Sequence, residues 1–161
     1  MKLKTAAIFL LIEIDITIAL GVGPSSLNFD RVLRGGYSEQ TLHITNTGNE
    51  PAEMKIEKEG DAAEWLRFFS RADPSLNPNS FVAAPRSTVA IQAVVTPPLD
   101  AEVKSYDAAI IVTSVPLSND SERGNVLGIN TAVRATVHIE LTGEQIVDYA
   151  VESLSIRDAE E

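Results

Sequence analysis

From residue 24 onward, apolar side chains recur at every second position in short runs, and turn-forming residues separate the runs. Leu27 and Phe29 alternate first, and Gly35-Gly36 turns the chain. Leu42 and Ile44 then point one way within Gln40–Thr45, before the dense turn cluster Asn46-Thr47-Gly48-Asn49-Glu50-Pro51. Asn and Gly tolerate positive φ and Pro sets its own φ, so this cluster ends one strand and starts another. Ala52, Met54 and Ile56 form one face of the next run, and Glu53, Lys55 and Glu57 the other. This is the pattern of a strand with one wet side. Gly60-Asp61 breaks that run. Residues 62–69 (AAEWLRFF) fit a strand or a single helical turn, and residues 70–80 form a loop.

Phe81–Pro85 leads to a turn at Arg86-Ser87. Val89, Ile91, Ala93 and Val95 alternate until Pro97-Pro98, which cannot donate to a ladder. Tyr106, Ala108, Ile110 and Val112 form the following strand. After a polar loop over 116–130, Val133, Ala135, Val137, Ile139 and Leu141 form the last, with Arg134, Thr136, His138 and Glu140 outward. No segment past residue 24 sustains a 3.6-residue period. About seven strands, with turns every 8–12 residues or so, predict an all-β, immunoglobulin-like antiparallel β-sandwich over 24–143. Its expected core is Leu42, Ile44, Met54, Ile56, Ile91, Val95, Ile110, Val112, Val137 and Ile139.

Both ends carry a pattern that this unit does not use. Residues 1–23 begin with Lys2 and Lys4, continue in an apolar run from Ala6, and reach small residues at Ala19, Gly21 and Gly23. That is the layout of an export signal or membrane anchor. Glu13 and Asp15 disfavour it, since an acidic residue at the centre of a spanning helix costs about 2.5–3.5 kcal/mol. The same stretch also reads as a strand. Ile12, Ile14, Ile16, Ile18 and Leu20 alternate with Glu13, Asp15, Thr17 and Ala19. Residues 144–161 form a strand-like tail or linker, with Val147, Tyr149 and Val151 alternating and Leu154 and Ile156 beyond. Both Ile12–Leu20 and the tail are candidate assembly strands.

Composition narrows the function classes. Thirteen Lys and Arg against 23 Asp and Glu give a net charge of −10. The basic residues are scattered, which argues against nucleic acid as a partner. With no cysteine, disulfides and thiolate chemistry are excluded.

Several stretches together resemble a known family: Pro24–Phe29, Arg34-Gly35-Gly36, Leu42–Pro51, Phe81–Ser87, Val95–Pro98 and Tyr106-Asp107-Ala108. They are similar to immunoglobulin-like sandwiches of the PapD-like and major-sperm-protein-like type, above all those of archaeal and bacterial cell-surface proteins. The resemblance covers about residues 24–143. It implies binding of proteins, glycans or further copies, without chemistry. The basic pair with which a periplasmic pilus chaperone grips a carboxyl terminus has no match, so that activity is not carried over.

The residues that could carry chemistry do not converge. His43 and His138 are the only histidines, each on the outward face of a strand, without metal-ligand spacing. No Gly-x-Ser-x-Gly motif is present, and the acidic turns Asn119–Glu122 and Asp158–Glu161 do not match an EF-hand loop. Asn119-Asp120-Ser121 fits the N-glycosylation pattern, so Asn119 is a glycosylation candidate if the chain is exported. Trp65, Phe68 and Phe69 fit either a binding patch or the end of a core. The expectation is a non-catalytic module without cofactor or metal, extracellular or at the cell surface. Its partners would be other copies of itself or surface proteins, and it would touch a membrane only through its N-terminal segment. A structural or adhesive filament or coat subunit comes first, and a protein-binding, chaperone-like accessory of a surface assembly is the alternative.

Overall fold

The computed structural model describes residues 20–117 and 130–143. Nine strands form two sheets: β1 Leu20–Gly23, β2 Ser26–Leu33, β3 Ser38–Asn46, β4 Ala52–Gly60, β5 Leu66–Phe69, β6 Ser80–Ala83, β7 Ser87–Val95, β8 Ser105–Pro116 and β9 Thr131–Thr142. One sheet has the order β1-β3-β7-β5 and the other β2-β9-β8-β4-β6. Together they make the immunoglobulin-like sandwich that the alternation predicts. The one helical element among the described residues is a 3-10 turn at Ala63–Trp65, just before β5. Residues 62–69 therefore contain both of the elements their pattern allowed.

The period-two residues meet between the sheets. All ten expected core residues are buried, joined by Leu27, Phe29, Leu66, Phe81 and Leu141. Most strands contribute every second side chain, so one face stays wet without any longer-range instruction, while β8 buries Ala108, Ala109 and Ile110 in succession. Gly60 closes β4 at φ +101°, where a Cβ would lie 2.8 Å from the Asp107 carbonyl oxygen. Only glycine fits this approach of β4 to β8.

Three features differ from the sequence expectation. The described residues hold nine strands rather than about seven, because β1, β5 and β6 have four residues each and are too short to show alternation. The sheets are not wholly antiparallel: β2 runs parallel to β9, pairing Ser26 with Thr136 and Leu33 with Thr142. The sandwich also begins before Pro24. Leu20–Gly23 pairs antiparallel with β3, from Leu20 opposite Asn46 to Gly23 opposite His43. After the cis Gly23–Pro24 bond the chain crosses to the other sheet as β2. One N-terminal stretch thus serves both sheets.

Candidate protein-binding edge

A β-sandwich can interact through its faces or its strand edges, and an open edge presents unpaired backbone donors and acceptors. Three of the four outermost strands are short and partly closed. In β5, the pairing of Trp65 with Thr96, whose N–H donates to the Trp65 carbonyl at 3.0 Å, turns the backbone groups of Leu66 and Phe68 outward. The Leu66 N–H is taken by the Ala63 carbonyl. Its carbonyl accepts from Lys58 Nζ at 3.0 Å and Arg67 Nη1 at 3.1 Å. In β6, the Ser80 N–H is taken by Asn77 at 3.2 Å. β1 offers only four residues.

β2 is the longest of these edges, with eight residues. A bulge between Phe29 and Val32 interrupts it, with Arg31 at φ 53°. Bulges of this kind blunt an edge against further pairing. The Asn28 carbonyl is further occupied by the Gln40 side-chain amide.

The fifth edge lies inside a sheet. β9 pairs with β8 from Thr131 opposite Ser114 to Glu140 opposite Ser105. β2 covers its other side only from Thr136 onward, where the Thr136 N–H donates to the Ser25 carbonyl at 2.9 Å. Upstream of Ser25 the chain has left for the other sheet. Thr131–Ala135 therefore has no second neighbour among the described strands. Alternation along β9 turns the N–H and C=O of Ala132 and Arg134 toward this gap, and both side chains are exposed. Val133 packs against the core from the same segment and keeps it extended.

The other sequence candidates fall elsewhere. His43 lies on β3 and His138 on β9, exposed on the outer faces of opposite sheets, so they cannot share a ligand. His138 Nδ1 meets Asp107 Oδ1 at 2.9 Å across β8 and β9. Among the described residues no three His, Cys, Asp or Glu side chains gather where they could hold a metal ion. No described helix is long and apolar enough to cross a membrane. Trp65 and Phe68 pack on the core, and Phe68 also lines, with Phe69, Arg71, Pro74, Leu76 and Pro78, an open hollow of about 460 Å³.

The perturbed carboxylates form ion pairs and caps at the surface, Glu53 half-buried and Asp73 and Glu102 exposed. The Ser80 hydroxyl, donating at 2.8 Å, and then Lys55 hold Glu53 below the ordinary carboxylate range. Ser75 does the same to Asp73. Lys104 hydrogen-bonds Glu102 and lowers it, and is itself raised. None of these groups faces the open part of β9.

Of the candidate assembly residues, Leu20 is described. It sits in β1 at 3 % exposure, in the core of its own sandwich, where no neighbour can reach it. Ile12, Ile14, Ile16, Ile18, Val147, Tyr149 and Val151 and the glycosylation candidate Asn119 lie outside the described residues. The open half of β9 was not visible in the sequence, where Val133–Leu141 is one uniform run. The only hint was Gly21-Val22-Gly23-Pro24, a break in alternation that can mark a change of sheet.

Comparison with solved structures agrees with this architecture. The chain superposes on the ASH/PapD-like domain 7 of human CEP192 with a TM-score of 0.54 and 11 % identity, covering 89 % of this chain and 99 % of that one. The fold is that of a PapD-like, immunoglobulin-like domain. A chain of the Salmonella enterica SafA pilin–SafB chaperone complex matches with a TM-score of 0.51 and 14 % identity, over 80 % of this chain and 56 % of that one. A family 123 glycoside hydrolase from Clostridium perfringens matches with a TM-score of 0.55 and 12 % identity, over 78 % of this chain and only 28 % of that one. The chain thus spans little more than half of the chaperone-complex chain and about a quarter of the hydrolase. No protein-family model matches the sequence, and no curated protein does.

Proposed function

We propose that this PapD-like domain is a non-catalytic protein-binding module, a chaperone-like accessory of an exported assembly, which takes a partner's strand along the free half of β9. The observation that carries this reading is the one-sided pairing of Thr131–Ala135. An incoming strand would find the N–H and C=O of Ala132 and Arg134 in place and complete the sheet, with main-chain hydrogen bonds supplying affinity. The likeness to a chain of a chaperone–pilin complex supports protein binding as the use of this fold. Lys2, Lys4 and the apolar run after Ala6 support export, and the partner would be a surface protein or a further copy of this chain.

A second reading keeps the same edge and changes the donor. Ile12, Ile14, Ile16 and Ile18 continue the alternation that enters β1 at Leu20. In a filament or coat, that segment of one subunit would fill the β9 edge of the next.

Ala132→Pro tests the edge itself. Proline there removes only an N–H that points into the gap and leaves the β8–β9 ladder whole. We expect unchanged folding by circular dichroism, with loss of polymers or of partner capture. A proline variant that still assembles or captures its partner would eliminate the β9 edge as the site. Replacing Ile14 and Ile16 by Asp separates the two readings: it dissolves self-assembly in the second and leaves capture of a foreign strand intact in the first.

A further inference from the structure

One end of the sandwich exposes apolar side chains that the edge does not use. Tyr37 is 76 % exposed, Leu99 71 % and Val103 54 %, in the β2–β3 and β7–β8 connections. The two connections touch. The Gly35 N–H donates to the Pro97 carbonyl at 3.0 Å, and Leu99 covers Gly35 so closely that a Cβ there would fall 2.4 Å from Leu99 Cδ2. Beside them, a groove of about 320 Å³ runs along the end of β2 and the start of β3, lined by Asp30, Arg31, Val32, Leu33, Gly36, Tyr37 and Ser38. Isolated exposed apolar residues are ordinary, but Tyr37 in the wall of a groove with Leu99 against the adjoining Gly35 calls for a cover.

We infer that this groove is filled by the chain's own segment Val147–Val151, which folds back over Leu33 and Tyr37. The last described pair of β9, Thr142 opposite Leu33, puts the chain at the mouth of the groove, and the Thr142 hydroxyl donates to the Val32 carbonyl at 3.5 Å. Four residue steps from Gly143 to Val147 reach about 13 Å in extended chain, enough to enter the groove. Val147, Tyr149 and Val151 alternate with Asp148 and Ala150. An extended segment would therefore lay three apolar side chains on Leu33, Tyr37 and Leu99 and turn Asp148 toward solvent. The spacing suits a period-two strand. This does not depend on the β9 edge, which lies at the opposite end of that strand.

The absence of cysteine makes the test clean. Tyr37→Cys is combined in turn with Val147→Cys, Tyr149→Cys and Val151→Cys in the full chain, and Val82→Cys, exposed on β6, replaces Tyr37→Cys as control. Mild oxidation should give an intramolecular disulfide in monomer with at least one Tyr37→Cys pair and none with the control. Disulfide-linked dimers alone would assign the groove to a second copy, and no crosslinking above the control would leave it without this occupant; either overturns the inference. As a measurement without cysteines, replacing Val147, Tyr149 and Val151 together by Asp should speed amide exchange over residues 34–38 by about tenfold or more, with β8 unchanged. Unchanged exchange over 34–38 would equally overturn it.

Discussion

Trp65 and Tyr106 meet edge to face between the two sheets, with ring centroids 4.5 Å apart and planes at 66°. Trp65 comes from the 3-10 turn that leads into β5, and Tyr106 from the start of β8 in the other sheet. The Tyr106 hydroxyl donates to the Glu102 carbonyl at 3.1 Å, and Lys104 lies over its ring at 5.2 Å. Tyr106 thereby ties the connection before β8 to the sandwich corner. Trp65→Ala should destabilise the domain by about 3 kcal/mol. A double-mutant cycle with Tyr106→Ala should show a coupling of about 0.5–1.5 kcal/mol, as edge-to-face pairs do. Denaturant melts of the four proteins measure both; additive losses would mean the rings do not act together.

Asn46 holds the other end. It is 1 % exposed, and its Nδ2 donates to the carbonyls of Glu50 at 2.8 Å, Ala83 at 3.2 Å and Ala84 at 3.1 Å. Its Oδ1 accepts from the Gly48 N–H at 3.0 Å. One side chain thus joins the β3–β4 turn to the end of β6. Asn46→Ala strands these backbone groups, and a loss of about 2–4 kcal/mol in equilibrium unfolding is expected, since an unsatisfied buried group costs about 1–3 kcal/mol. Asn46→Asp keeps the bond from Gly48 but removes the donor, and should lose nearly as much.

Gly60→Ala should cost about 1–3 kcal/mol, because φ +101° and the Asp107 carbonyl at 2.8 Å leave no place for a methyl group. Thermal unfolding gives the value. A neutral result would show that β4 and β8 part easily at this end.

Acid should weaken the domain in a defined window. Glu53 and Asp73 are held below their ordinary values in the folded state. Their contribution is therefore complete above the ordinary carboxylate range, about pH 4, and is lost as pH falls through the lower folded-state values. Asp73 is exposed and Glu53 is half-buried at the surface, so solvent screens both and the loss is shallow. Ser80→Ala removes the largest cause at Glu53, and its titration midpoint, followed by NMR, should move up toward that of an ordinary glutamate. An unmoved midpoint would show that the Ser80 hydroxyl does not donate to it in solution.

Much of this fold was legible in the residues themselves. Alternation depends only on which face of a strand is wet, so Leu42, Ile44, Ile110, Val112, Val137 and Ile139 declared their burial without any knowledge of their neighbours. Turn chemistry at Asn46–Pro51, Gly60-Asp61 and Pro97-Pro98 separated the strands for the same local reason. Tertiary structure decided what pairing decides. A run such as Val133–Leu141 looks the same whether it has one neighbour or two, and β2 covers only its second half because the chain changes sheets after Gly23. Asn46 read as a turn residue, and only the approach of Ala83 and Ala84 makes it a buried junction. Leu20 looked like the end of an isoleucine strand meant for another subunit, yet its pairing with Asn46 places it in this core. Hydrophobic pattern is a property of single strands and can be read along the chain; open edges and shared junctions are relations between strands distant in sequence, and they exist only once the two sheets have met.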